Sequence, residues 1–436
     1  VTDSTPNPIR SLCFVSFDAV VLVYPDAKGS IGGAETQVVL MAKALSAAPD
    51  VRVTVVVRDS KSRPTQIVDR FHVVTFVDRL FRIRRFVSEH VTISRRFPWL
   101  RIRKWSRHLF WQLPLLFAAH VAGNTSTSNL HFDWLNELAD SDVYCCTGAS
   151  DRTADVFDAA KKHNRKTVMF VVSDADVDER YLTVPGFFTK YGDSGSRCAD
   201  AIKNADLIAC QTDVQRQMLR DRFGKDSILF PNPFDHIAWS KSLEQTHDLP
   251  EDVKTLPPRF ALWIGRSERH HKRPELLLQV ARQCPGVPFV MVMNTQDEAV
   301  AEAVRQQKPE NVRIIERVSF HLMPHLFSRS AMFISTGSRE FEGFPNVFLQ
   351  AAASSVPVVS LEADPGFVTE HQTGIVCHGD LDRLAASVQT AWNDREQADR
   401  MGQNGRLYVI GHHSIADTRQ RLIDILNSFG EERILG

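Results

Sequence analysis

Ser338-Arg339-Glu340-Phe341-Glu342-Gly343-Phe344-Pro345-Asn346-Val347-Phe348-Leu349-Gln350-Ala351-Ala352-Ala353 is the stretch from which the fold is read. The apolar run Ala331-Met332-Phe333-Ile334 before it predicts a buried strand. Its Ala-rich end predicts a buried helix, and Pro357-Val358-Val359-Ser360-Leu361 a second strand. The stretch is therefore a strand-to-helix turn in a βαβ unit, where open α/β sheets place their ligands. Gly343 lets the backbone approach a ligand closely. Pro345 fits a first helical turn, where its missing N–H costs nothing. The N–H groups of that turn, with the helix dipole behind them, suit a phosphate, and Glu342 stands at the mouth.

Working outward, the same pattern recurs on both sides. Leu12 to Phe17 predicts a first buried strand, followed by Ser30-Ile31-Gly32-Gly33-Ala34-Glu35 and a helix with Val38, Val39, Met41, Ala42 and Leu45 at helical spacing. Val51–Val57, Val143–Thr147, Thr167–Val172 and Ala205–Ala209 predict further strands. The strand at Thr167 ends in Ser173-Asp174-Ala175-Asp176, an acidic cluster that suits a hydroxyl, a metal or a helix cap. Pro231-Asn232-Pro233-Phe234-Asp235 breaks the chain, and residues 236–258 predict a polar connector with one helical turn. Phe260-Ala261-Leu262-Trp263-Ile264-Gly265-Arg266 opens a second α/β series, with Lys272 ahead of its first helix. Two cations at one strand-to-helix mouth suit a diphosphate clamp, Arg as a planar fork and Lys as a point charge, and read equally as plain surface charges. Three domains are expected: residues 1–233, residues 234–412, and a final helix over 413–436 that packs back on the first.

Composition narrows the class. The chain has 436 residues, 52 Lys plus Arg against 52 Asp plus Glu, and 43% hydrophobic residues, so net charge points to no polyanion partner. Seven cysteines without a C-x-x-C pair read as reduced thiols rather than a disulfide or zinc framework. No run reaches the ~18 apolar residues of a membrane span, and no signal pattern opens the sequence, so a cytoplasmic protein is expected. The sequence does not begin with Met, which leaves a leader before it open. One insertion, about residues 79–111, is different. From Arg79 to Arg107, basic residues interleave with Phe81, Phe86, Phe97, Trp99 and Trp105. That pattern reads either as peripheral contact with the anionic inner face of a membrane, as a grip on a phosphorylated acceptor, as a nucleic-acid surface, or as a plain solvated face with snorkelling arginines.

Taken in order, these residues resemble the retaining glycosyltransferases of family four. The resemblance rests on Glu342-Gly343-Phe344-Pro345-Asn346-Val347 with its Ala-rich helix, Gly32-Gly33-Ala34-Glu35, Ala205-Asp206-Leu207-Ile208, Pro231–Asp235, and Gly265-Arg266 with Lys272. It covers nearly the whole chain except the basic insertion. It implies the GT-B fold, two Rossmann-like domains facing across a cleft, with the C-terminal helix crossing back to the N-terminal, acceptor-side domain. It implies transfer of a sugar from a UDP- or GDP-linked donor to a saccharide or lipid-linked acceptor in polysaccharide or glycoconjugate synthesis, with no cofactor, no metal and no nucleic acid.

By resemblance, Arg266 and Lys272 bind the donor diphosphate and Gly33 brings an N–H to the distal phosphate. Glu342 contacts donor-sugar hydroxyls, and Gly265, Gly343, Phe344, Pro345, Asn346 and Val347 line the donor. Glu342, Arg266 and Lys272 carry the chemistry. Two positions depart from the pattern. Gln350 stands where a ribose-binding Glu is usual, and loses a charge-assisted, two-oxygen grip. Ser173 stands where many relatives have His, which leaves Asp174 or Asp176 for the acceptor. These departures keep a non-catalytic relative in view; a separate alternative is another GT-B enzyme such as a sugar-nucleotide epimerase.

Overall fold

The computed structural model describes residues 11–24, 26–27, 32–78, 80–93, 100–102, 104–121, 140–244 and 249–435. Contacts divide the chain into two units. One comprises residues 1–170, 179–209 and 421–436; the other comprises 171–178 and 210–420. The second unit thus begins earlier than Pro233 and takes in the acidic turn after Phe170.

The first unit is built on β1 (Ser11–Val15), β2 (Arg52–Asp59), β3 (Gln66–Val68), β4 (Phe71–Val77), β7 (Val143–Thr147), β8 (Lys166–Phe170) and β9 (Leu207–Cys210). Between β4 and β7 a small antiparallel pair is inserted, β5 (Val91–Ile93) with β6 (Leu100–Ile102). The sheet order is β9-β8-β7-β1-β2-β4-β3. All these pairings are parallel except the edge pair β3 and β4. β1 and the last seven residues of β2 are buried throughout, as expected of parallel strands covered on both faces. β1 is followed by the short helical turns Phe17–Ala19 and Val20–Val23 and then by the helix Gly33–Leu45, whose Val38, Met41, Ala42 and Leu45 are buried.

The second unit contains the short β10 (Ile228–Leu229), after which the Phe230 N–H bonds to the Cys210 carbonyl at 2.7 Å. Its main sheet joins β11 (Phe260–Arg266), β12 (Phe289–Asn294), β13 (Val312–Ile315), β14 (Ser330–Ser335), β15 (Val358–Ser360) and β16 (Gly374–Val376). The order is β13-β12-β11-β14-β15-β16, all parallel. Alternate residues of β11 feed two separate cores. Phe260 and Leu262 join Phe333, Phe348 and Phe367, while Ala261 and Trp263 join Leu277, Met332 and Val388. The sheet is therefore sandwiched between the helix Asn346–Ala353 on one face and the helices Pro274–Gln283 and Leu381–Asn393 on the other.

Both sheets follow one pattern: the chain starts in the middle, runs out to one side, then returns and runs out to the other. This is the doubly wound order, and its switch points fall between β1 and β7 and between β11 and β14. Each is a Rossmann-like α/β unit. The last helix, Ile415–Leu435, starts in the second unit and ends in the first. There Lys166 Nζ lies 5.3 Å over the Phe429 ring.

Two sequence expectations are corrected. Residues 236–258 are more than a polar connector. They contain the helices His236–Glu244 and Glu251–Lys254. Trp239 is the reason: it is buried beside Phe234 and Phe327, and its indole N–H donates to Ser354 Oγ at 2.8 Å. Pro345 precedes the helix Asn346–Ala353 as its cap rather than opening it. The basic insertion contains the helices Phe81–His90 and Leu109–Val121 around β5 and β6; Arg79, Arg95, Arg96, Phe97, Trp99 and Arg103 lie outside the described residues. All seven cysteines are buried and free. No helix among the described residues is long and apolar enough to cross a membrane.

Candidate active site

The switch point of the second sheet brings two loops together. One, Ser267–Arg273, leaves β11; the other, Thr336–Pro345, leaves β14. Parallel strands end side by side, so the loops after them are neighbours whatever their sequence. Here their polar groups stitch them into one surface. Thr336 Oγ1 accepts from Trp263 Nε1 at 2.9 Å and donates to the Lys272 carbonyl at 2.6 Å. The Ser338 N–H donates to the His271 carbonyl at 2.9 Å. Arg273 donates to the Thr336 and Gly337 carbonyls at 2.7 and 2.9 Å, and to Glu362 at 2.5 Å. Arg273 has φ 48°, a left-handed conformation unusual outside glycine, and these three bonds hold it there.

Glu342 is the centre of this surface. It is only 8% exposed, and its Oε1 contacts both Lys272 Nζ and His271 Nε2, the latter at 3.0 Å. His271 Nδ1 lies 3.2 Å from Glu268 Oε1, so the imidazole bridges two carboxylates. Burial alone would raise the Glu342 pKa; the Lys272 charge and the His271 contact outweigh it and hold it down at about 2. Burial alone would lower the His271 pKa; its bonds to Glu268 and Glu342 outweigh that and raise it. The carboxylate is thus kept ionised in a nearly dry site.

Gly343 follows, pressed against the acidic turn. A Cβ there would come 2.8 Å from Gln215 Nε2 and 3.1 Å from Ser173 Cα. A side chain there requires the Gln215 amide to move and the Ser173 backbone to give by a few tenths of an ångström. Phe344 is buried, stacked on Phe367 at 5.6 Å, with its carbonyl 3.4 Å from Asn232 Nδ2. Asn232 also reaches Asn346 Oδ1 at 3.0 Å, and its carbonyl meets His413 Nδ1 at 2.6 Å. The Pro-Asn-Pro break therefore braces the start of the helix Asn346–Ala353, where the Phe348 N–H donates to the Pro345 carbonyl at 2.9 Å.

The sequence-predicted residues divide as follows. Lys272, Glu342, Gly343, Phe344, Pro345 and Asn346 come together at the switch point, with Val347 and Gln350 on the first turns of the helix. Gly265 packs its backbone against Trp263, where a Cβ would meet the indole at 2.5 Å. Arg266 ends β11 and is exposed; its carbonyl accepts from the Glu268 N–H at 2.9 Å, and its side chain makes no hydrogen bond or ion pair among the described residues. Asp174 and Asp176 separate. Asp176 accepts the Val172 and Ser173 N–H groups at 2.8 and 2.9 Å, and Ser173 Oγ accepts from Ala175 at 3.2 Å. That is a helix-capping arrangement. Asp174 instead accepts from Gln215 Nε2 at 3.0 Å, and burial raises its pKa despite that bond. Gly33 lies in the first unit, at the start of the helix after β1.

His271, Arg273, Thr336, Glu362 and Asn232 escaped the sequence reading. Only Asn232 had a signal, its place between two prolines.

Residues 245–408 match the profile of the family described as Glycosyl transferases group 1. The matched residues lie within the second unit, and the chain has the GT-B fold. No curated protein sequence matches it. Among solved structures, sucrose-phosphate synthase from Thermosynechococcus elongatus is similar, with TM-score 0.67, 15% identity, and 96% of this chain and 99% of that chain covered. HepE of Anabaena, in complex with UDP and glucose, is similar with TM-score 0.62 and 14% identity, covering 96% of this chain and 100% of that one. A trehalose-6-phosphate protein from E. coli bound with UDP-2-fluoro glucose has TM-score 0.63 and 12% identity, covering 95% and 98%.

Proposed function

We propose that the protein is a retaining glycosyltransferase of the family-four type. It moves a sugar from a UDP- or GDP-linked donor to a saccharide or lipid-linked hydroxyl in polysaccharide or glycoconjugate synthesis. The observation that carries this is the Lys272–Glu342–His271 cluster at the switch point, inside the matched residues. Transfer develops positive charge at the anomeric carbon and negative charge on the departing diphosphate. Lys272 and Arg266 would take up the leaving charge, and the N-terminal end of the helix Asn346–Ala353 would add its dipole. With two cations in that role, the reaction is proposed to run without a metal. Glu342, held ionised, would accept hydrogen bonds from donor-sugar hydroxyls. The acceptor oxygen would attack from the face the phosphate leaves, and the departing phosphate oxygen would take its proton. Asp174 is the proposed acceptor contact, since Asp176 is engaged in capping. Gln350 would accept one ribose hydroxyl.

A second reading, a non-catalytic relative that binds nucleotide, is favoured by Gln350 and Ser173. Incubation with UDP-, GDP- and ADP-sugars and mixed acceptors separates the two. Release of nucleoside diphosphate, abolished by Arg266→Ala, is expected. Saturable nucleotide binding with no release from any donor would sink the transferase reading. Full activity of Arg266→Ala would sink the diphosphate clamp.

A further inference from the structure

The helix Leu109–Val121 has an inverted surface. Its inner face packs Leu109 against Val87 and Val91, with Leu113 and Leu116 alongside. Its polar Gln112 is buried. Its outer face is apolar: Phe110 is 72% exposed, Trp111 51%, Phe117 70% and Val121 72%, and Leu115 and Pro114 are exposed with them. A helix apolar all round needs a cover on its outer side. The patch continues into the preceding turn. Trp105 is 64% exposed and meets Phe110 edge-on at 5.4 Å; on β6, Leu100 and Ile102 are exposed. The four aromatic rings alone present on the order of 500 Å² of surface, beyond what scattered exposed residues give.

Charge identifies the cover. From His90 to Phe132 the sequence has no Asp or Glu, but six Arg and Lys residues. Among the described ones, Arg101, Lys104 and Arg107 are exposed, and Arg107 sits one turn from Phe110. A second copy of this chain would set these cations against themselves, because a two-fold contact pairs like with like. Nucleic acid would leave Leu115, Pro114 and Val121 without a partner, since such sites use aromatic stacking and charge. A surface with an apolar interior and an anionic rim satisfies both features.

We propose that β6, the turn Lys104–His108 and the outer face of the helix Leu109–Val121 form a docking surface for an anionic lipid bilayer. Trp105, Phe110, Trp111 and Phe117 enter the headgroup region, while Arg101, Lys104 and Arg107 meet lipid phosphates. The inference does not depend on the chemistry at Glu342.

The test is co-sedimentation of the full chain with phosphatidylcholine vesicles, with and without phosphatidylglycerol. Binding is expected only with the anionic lipid and should weaken as salt is raised. Arg101→Gln/Lys104→Gln/Arg107→Gln should weaken it by roughly fivefold per cation, on the order of a hundredfold in all. Phe110→Ser/Trp111→Ser/Phe117→Ser should weaken it at least as much, with an unchanged thermal midpoint. If that variant misfolds, the charge variant and the salt series decide alone. Absence of vesicle binding, or binding indifferent to anionic lipid and salt, overturns the proposal. So does a dimer in light scattering that the apolar variant renders monomeric, or retention on single-stranded DNA with none on vesicles.

Discussion

Replacing Lys272 by Met removes one of the two cations that face a buried carboxylate. The Glu342 pKa lies near 2 against an ordinary 4.5, so its native contacts favour the ionised form by about 3 kcal/mol. A group with a depressed pKa stabilises the fold above its ordinary value, and that stabilisation is lost as pH falls through about 2. In Lys272→Met the carboxylate keeps only His271, and burial pushes its pKa back up. At neutral pH the variant should lose about 3 kcal/mol, the cost typical of breaking a buried pair from one side. The double variant Lys272→Met/Glu342→Gln no longer buries a charge and should recover about half of the loss. Urea unfolding of wild type, both singles and the double closes the cycle. Two results would refute the reasoning. One is a Lys272→Met stability within ~0.5 kcal/mol of wild type, the scale of an ordinary surface change. The other is a double variant no more stable than Lys272→Met.

Three further outcomes follow from neighbouring residues. His271→Gln should flatten the pH dependence of stability above neutrality: the raised pKa means its contribution is full below about 6.5 and fades as pH rises through the raised value, which urea midpoints across that range would reveal. Gly343→Ala should cost about 1–3 kcal/mol, because its Cβ meets the Ser173 backbone; an unchanged melting temperature would show that the acidic turn yields freely. Gln350→Glu should tighten UDP or GDP binding by up to about tenfold, since a carboxylate accepts two ribose hydroxyls with charge assistance; ligand-dependent thermal shifts measure it, and weaker binding would remove Gln350 from the ribose site.

What the sequence disclosed was whatever depends on local pattern. Buried parallel strands are continuous apolar runs, so Phe260–Arg266 and Ala331–Ile334 were visible, and two prolines marked Pro231–Asp235. Glu342 was visible because it stands directly before Gly343 and Pro345, where the turn enters the Ala-rich helix. The doubly wound strand order was not legible, because periodicity says which residues face a core and not which strand lies beside which. Arg273 illustrates the same limit for the site. In the sequence it is one more cation after Lys272. Its role, tying the carbonyls of Thr336 and Gly337 to Glu362, exists only once β11 and β14 are neighbours.

The same placement changes how the two sequence-predicted halves of the donor site relate. Arg266 and Lys272 were read as a diphosphate clamp, and Glu342 as a sugar contact. Lys272 is paired with Glu342, whereas the Arg266 side chain makes no hydrogen bond or ion pair among the described residues. A phosphate that draws Lys272 away leaves Glu342 with His271 and an unfilled acceptor site in nearly dry surroundings. Leaving that site unfilled is costly, so a sugar hydroxyl that fills it is favoured most when the phosphate is also in place. On the proposed function, the pair would therefore make the two ends of the donor bind cooperatively. A nucleoside diphosphate alone would break the pair without restoring the lost contact, whereas the intact sugar nucleotide would do both.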